Sequence, residues 1–243
     1  MPNIEWQDTE ELRPIEYSLE YFCLQNNLPW DEIKETQGTM AFIEKRALES
    51  LHDFLAHDTR REHGGVLVGK PYYDTSESRH FVVIHTAIPA LETEGSSVHM
   101  QFTPETWGFI SGLIEQEFPE LAIIGWYHSH PGLGVFMSGT DRSTQKAFYN
   151  HPWSLAVVVD SIALKTGWFR GSDCEPMDRR HVISYAEPLA IELAVSKPEA
   201  AISPEEYEHI KRYSFENLKW LLPIGLLMLS ILVGVWYFGK NRG

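Results

Sequence analysis

Thiols are scarce in this sequence. Its 243 residues include two cysteines, Cys23 and Cys174, far apart and in no C-x-x-C pair. A structural zinc site wants four closed ligands, usually thiolates, so the sequence argues against one, and no disulfide is expected in a reducing compartment. Basic residues are also few, 20 against 34 acidic, for a formal net charge of −14. No nucleic-acid partner is expected on that balance; anionic lipid surfaces are poor partners too, and a basic protein face is a better one. No internal repeat appears. Met1 to Glu20 is acidic and lacks a long apolar run, so no signal peptide is read there.

Charge is missing altogether from Trp220 to Phe238. These nineteen residues, at 1.5 Å each in a helix, would span roughly 28 Å, close to the bilayer's hydrocarbon thickness of about 30 Å. Pro223, Gly225, Ser230 and Gly234 would cost stability inside a soluble helix and are commoner in membrane spans. Trp220 and Trp236-Tyr237 stand at the two ends like an aromatic belt, with Lys219 before and Lys240 and Arg242 after. The run is therefore expected to be a transmembrane helix. With no signal peptide, the expected arrangement is a tail-anchored, single-pass protein whose catalytic part is cytoplasmic, leaving 239–243 as a short tail. All 34 acidic residues precede the span and two of the 20 basic ones follow it, so residues 1–219 carry −16.

Residues 1–37 read as an acidic extension, solvated or docking a partner, in which Ile15, Leu19 and Phe22 at helical spacing suggest one short helix. From Thr39 a globular rhythm begins. Met40 to Ile43 reads as a strand, and Ala47, Leu48, Leu51, Phe54 and Leu55 share one face of a helix reaching about Ala56. Strands follow at Gly64–Gly69, His80–Ala87 and Val98–Phe102, then a helix capped by Thr103 with Pro104 at its first position and Trp107, Ile110, Leu113, Ile114 and Phe118 at core spacing. Leu121 to Tyr127 is a near-continuous apolar run, as in a strand buried on both faces. A helix over Asp141–Tyr149 and strands at Leu155–Asp160, Ala163–Arg170 and Val182–Ala186 complete the elements. The pattern predicts an α/β domain, a mixed sheet flanked by helices over 38–187, then a connector over 188–219, helical from Glu205, leading to the span at 220–238.

The apolar run delivers His128-Ser129-His130-Pro131-Gly132-Leu133-Gly134 at its C-terminal end. Side chains alternate along a strand, so His128 and His130 project from the same face. Pro131 ends the ladder, having no N–H to donate, and the two glycines let the chain turn back so that Asp141 can return to the same point. Two imidazoles and one carboxylate are three ligands, the count that leaves a tetrahedral zinc one position for water. An open position means chemistry. The H-x-E and P-C-x-x-C elements of a zinc nucleobase deaminase are absent.

Glu62-x-x-Gly65-x-Leu67-x-Gly69 followed by His128-x-His130-Pro131-x6-Ser138-x2-Asp141 resembles the full signature of the JAMM/MPN+ (Mov34/MPN/PAD-1) zinc metalloproteases. Gly125-Trp126-Tyr127, Ser138-Gly139, Thr144-Gln145 and Ala156 to Asp160 extend the similarity, which covers roughly 39–170. The resemblance implies an MPN, cytidine-deaminase-like fold and a zinc isopeptidase that cuts between a ubiquitin-like C-terminal Gly-Gly and a lysine amine. It implies His128, His130 and Asp141 as ligands of Zn2+, Glu62 as general acid/base and Ser138 as donor to the tetrahedral intermediate. Spacing alone cannot bring Glu62 to the metal, and Ser138 also suits a helix cap.

Phe136 resembles the aromatic that narrows the family's channel for the Gly-Gly tail, though core packing would explain it as well. Glu92 to Met100 matches either a plain loop or the family's first insertion, which can add a strand to an extended substrate tail. Phe136 and Val98 are the expected substrate contacts. The region between Asp160 and Val182 is too short for a second insertion of the kind that grips one ubiquitin linkage. Asp160 is expected to support structure or the surroundings of the metal. The expected partners are ubiquitin or ubiquitin-like conjugates, the membrane through the C-terminal helix, and an MPN-type partner subunit. Two alternatives remain: a non-catalytic MPN scaffold recruiting partners at a membrane, and a zinc peptidase acting on another small or sulfur-carrier-like conjugate.

Overall fold

In chain order the elements are β1 (Ile15–Glu16), α1 (Leu19–Gln25), α2 (Trp30–Ile33), β2 (Met40–Glu44), α3 (Lys45–His57), β3 (Gly64–Asp74), β4 (Arg79–Pro89), β5 (Thr93–Ser96) and β6 (His99–Phe102). Then come α4 (Pro104–Glu117), β7 (Ala122–Ser129), α5 (Gly139–Phe148), β8 (Leu155–Asp160), β9 (Lys165–Arg170), β10 (Glu175–Pro176) and β11 (Val182–Tyr185). These come from a computed structural model, in which residues 12–90, 93–96 and 99–186 are described. The chain divides into two compact units, 1–198 and 199–243, and every described residue lies in the first.

One mixed sheet runs in the order β10-β9-β8-β7-β3-β4-β2-β11, with β1 paired to the far half of β3. β7 lies antiparallel to β3 and parallel to β8, at the centre of the order. That position accounts for its apolar composition, since a central strand covered on both faces alternates little. Gly65 and Gly125 stand where neighbouring strands pass very closely: a Cβ there would lie 2.1 Å from Ile88 O and 2.3 Å from Leu155 O respectively. β5 and β6 form a separate antiparallel hairpin.

Strand alternation sorts the core into layers. Ala41 and Ile43 of β2 face the side covered by α3, where Ala47, Leu51 and Leu55 pack with Leu67, Ile84, Tyr127 and Val157. Met40 and Phe42 face the opposite side and pack with Leu19, Cys23, Ile33 and Phe81. Under α5 a third cluster holds Trp126, Met137, Tyr149, Ala156, Val158 and Phe169. Trp126 and Tyr127 thus belong to different clusters, as period-two alternation requires.

Most of the expected elements are present between 40 and 185, with β3 and β4 longer than expected. Two differences matter. First, the segment expected to be a solvated or partner-docking extension is, from Ile15 onward, part of the packed unit. Leu19, Cys23 and Ile33 are buried, the Leu19 N–H donates to the Asp74 carboxylate at 2.6 Å, and Ile15 lies in β1 rather than in the expected helix. The apolar positions of two short helices were too sparse to show as a stripe. Second, α4 meets the core along a single line, Thr106 and Ile110, while Trp107, Leu113 and Ile114 stay half-buried and Phe109 is exposed. No helix among the described residues is long and apolar enough to cross a membrane. The connector at 188–219, the span at 220–238, the tail at 239–243 and Val98 all lie outside the described residues.

The packed N-terminal segment generates a direct test. Replacing fully buried Leu19 with Ala is expected to lower the domain's stability by about 2–5 kcal/mol, as for other buried leucines, in a urea unfolding curve. A solvated extension would give a change near zero.

Candidate metal centre

The candidate ligands converge. His128 Nε2 and His130 Nε2 lie 3.2 Å apart, and each is 3.4 Å from Asp141 Oδ2. A tetrahedral metal with bonds of about 2.0–2.1 Å separates neighbouring ligand atoms by about 3.3 Å. The residues therefore fit a small divalent ion. All three side chains are buried, and among the described residues they are the only cluster of this kind.

Each ligand is delivered by a different local device. β7 carries His128 near its end, and the His130 N–H continues the pairing by donating to Val159 O at 2.8 Å. Asp141 sits in the first turn of α5, where the Ser138 hydroxyl accepts from the Asp141 N–H at 3.2 Å and the Ser138 N–H donates to Asp141 Oδ2 at 2.7 Å. This reciprocal cap fixes the carboxylate while leaving it turned toward the two imidazoles. His128 is oriented by stacking: the Trp126 ring lies 4.4 Å away at 11°, and among the described residues the His128 Nδ1 meets no hydrogen-bond partner. Trp126 is itself fixed by Gln145, whose carbonyl accepts the indole N–H at 2.7 Å and whose amide donates to Tyr149 O and Gly171 O.

Glu62, which spacing could not place, is buried with Oε1 3.6 Å from His130 Nε2. The reason is register. Gly64 pairs with His128 across β3 and β7, so two residues further out Glu62 stands opposite His130, on the same face. Burial pushes the Glu62 carboxyl up to about 7; the Asp141 charge adds to this, and the His130 charge opposes it. Burial also holds His128 toward its neutral form, the form that binds a metal, against the pull of Asp141. Burial would raise Asp141, yet His128, His130 and Ser138 together hold its carboxyl well below the usual range.

Phe136 is exposed rather than packed in the core, and its ring centre is 4.8 Å from that of His130. His63, adjoining Glu62, packs near Phe54 and Asp58, outside the ligand cluster. Asp160 has a clear task. Its carboxylate accepts N–H bonds from Gly132 and Gly134, both at 2.9 Å, and from Ile162 and Ala163 at 3.0 and 2.9 Å. Gly132 and Gly134 have φ of +72° and +91°, values that favour glycine. Asp160 thus pins the loop running from His130 to Ser138. The roles of Trp126 and Gln145 in orienting His128 were missed because their contact crosses between a strand and a helix, although both residues stood in the quoted motif.

Residues 44–169 match the family described as prokaryotic homologues of the JAB domain. The chain is 38% identical over 105 residues to COP9 signalosome complex subunit 5 of Eremothecium gossypii, covering 40% of this chain and 24% of that protein. It is 24% identical over 172 residues to the Caenorhabditis elegans protein of the same name, covering 67% and 44%. A third relative, ubiquitin carboxyl-terminal hydrolase RPN11 of Saccharomyces cerevisiae, is 33% identical over 75 residues, covering 30% and 24%. The chain therefore spans less than half the length of each of these relatives. Fold, ligand cluster and match agree: a mixed α/β domain with a His-His-Asp cluster. This chain belongs to the JAB/MPN family, in its JAMM/MPN+ form.

The pinned loop can be tested apart from any activity. In Asp160→Ala the amides of Gly132 and Gly134 are expected to exchange hydrogen roughly tenfold faster or more, since each loses a bond to a charged acceptor. Protection unchanged from the native protein would show that the loop is held by something else.

Proposed function

We propose that this protein is a zinc-dependent isopeptidase that releases ubiquitin or a ubiquitin-like protein from a lysine amine, cutting after the C-terminal Gly-Gly. The observation that carries the reading is the buried Glu62 carboxylate 3.6 Å from His130, beside three ligand atoms spaced for one metal ion. Family membership supports it, as does the relative whose name is ubiquitin carboxyl-terminal hydrolase.

His128, His130 and Asp141 would hold the zinc, which when bound supplies a Lewis acid that activates water and polarises the scissile carbonyl. Glu62 takes the proton from the attacking water and gives it to the departing lysine amine, a role worth roughly 10²- to 10⁴-fold in rate. Its carboxyl, raised by burial, suits both halves of that transfer near neutral pH. Ser138 uses an acceptor lone pair to cap α5, and a hydroxyl keeps its single donor when it does so. That donor stabilises the oxyanion, an interaction worth about 3–4 kcal/mol in comparable sites. Phe136, exposed beside His130, lines the approach for the extended tail.

The full-length chain, incubated with a panel of ubiquitin-like isopeptide conjugates, is expected to release a Gly-Gly-ending protein in a chelator-sensitive way. Glu62→Gln keeps one zinc per chain and loses about 10²- to 10⁴-fold in turnover, whereas Asp141→Ala loses the zinc. A Glu62→Gln protein that cleaves at the native rate would sink the assignment.

We further propose that Trp220 to Phe238 spans a membrane, on the strength of its uncharged length and terminal aromatics. Full-length protein is expected to stay with membranes through alkaline carbonate extraction, and a chain ending at Lys219 to be released. Extraction of both alike would overturn the span.

A further inference from the structure

The β3–β7 ladder does not stop at its last regular pair. Gly64 stands opposite His128, and the two chains run on together, His63 opposite Ser129 and Glu62 opposite His130. In a regular antiparallel ladder His63 and Ser129 would exchange two main-chain bonds. One is present: the Ser129 N–H donates to His63 O at 2.8 Å. The other is replaced. The His63 N–H donates to the Ser129 hydroxyl at 3.0 Å, and that hydroxyl lies 3.4 Å from His63 O.

Ser129 is fully buried and, lying between two metal-facing histidines, points to the opposite face of its strand. It is therefore turned away from the ligand atoms. What it grips is the main chain of the residue after Glu62. The stretch just before, Asp58 to Arg61, is bound largely to itself, Arg60 and Arg61 pairing with Asp58. A glutamate at the frayed end of a strand would ordinarily sample several positions, because ladder ends lose partners first. Here the end is closed by a side-chain hydroxyl on the facing strand.

We infer that Ser129 is a positioning residue: its hydroxyl closes the β3–β7 ladder over His63 and so holds the Glu62 carboxylate beside His130. This rests on the reading of Glu62 as the proton-transferring group. Only a small residue with a hydroxyl meets the requirement at a fully buried strand position. Threonine keeps the acceptor and favours extended backbone, whereas alanine removes the acceptor without adding bulk.

The test uses the full-length, zinc-loaded chain. In Ser129→Ala the His63 amide is expected to exchange hydrogen about tenfold faster or more, with zinc still at one per chain. Turnover of a cleavable conjugate falls about 10- to 100-fold in kcat while KM stays within about threefold, a part of the general-base contribution. Placed on Glu62→Gln, Ser129→Ala lowers the residual single-turnover rate no further, because both changes remove the same group's action. Ser129→Thr restores His63 protection and kcat to within about threefold of the native values.

A His63 amide as protected in Ser129→Ala as in the native chain overturns the inference. So does a loss in the Glu62→Gln background as large as in the native one, which marks a general structural role. Should Ser129→Thr fail to fold, the two alanine measurements decide alone. A native chain that cleaves no conjugate refutes the isopeptidase reading, while His63 exchange still decides whether the hydroxyl closes the ladder.

Discussion

Two antiparallel strands in register set side by side the residues whose numbers add to a constant. For β3 and β7 that rule pairs Gly64 with His128 and, beyond the ladder, Glu62 with His130. Side chains opposite one another share a face, so a glutamate 66 positions before the first ligand reaches the same few ångströms of space. The other components hang from this pairing. β7 must be central, flanked by β3 on one side and β8 on the other, because β3 brings Glu62 while the last residue of β8, Asp160, reaches the loop beyond His130. Gly65 and Gly125 permit the close passage of the strands. A slip of one residue in β3 would turn Glu62 to the far face and present His63 instead.

Asp141 shows how a second constraint is met at the same point. A carboxylate in the first turn of a helix is favoured by the helix dipole and by free N–H groups, and here the Ser138 N–H binds the same oxygen that faces both imidazoles. The cap and the ligand are one group. Gathering two imidazoles and a carboxylate in a buried site without a cation is costly. A bound ion relieves that cost and so couples metal affinity to the stability of the domain.

How much of this was legible in the sequence follows from the range of each interaction. The His-x-His spacing and the strand carrying it could be read directly, because alternation is a property of neighbouring residues. Thr103 with Pro104, and Ser138 ahead of α5, announced helix starts by local chemistry. Asp141 needed only a plausible turn between the glycines. Glu62 could be recognised by likeness to a family motif but not placed, since register is a long-range property. Trp126 against His128 and Gln145 against Trp126 had no signal of their own, for such contacts depend on how a helix settles on a sheet. The N-terminal segment misled for the opposite reason. Its charges dominated the composition while Leu19, Cys23 and Ile33, few and spread over two short helices, did the packing.

Asp160 shows why rigidity and exposure can coexist at the mouth of such a site. Its four N–H bonds fix the main chain of two loops, the first of which is also anchored by Met137, buried in the cluster under α5. Leu133, Phe136 and Ile162, carried on those loops, are therefore free to remain exposed at 50%, 46% and 61%. Loops held by packing alone would draw more of their apolar side chains inward, because burying a large apolar residue is worth roughly 1.5–3 kcal/mol. Holding much of each loop by its main chain separates two demands: the backbone after His130 stays in place, and Leu133, Phe136 and Ile162 beside it keep an exposed apolar surface.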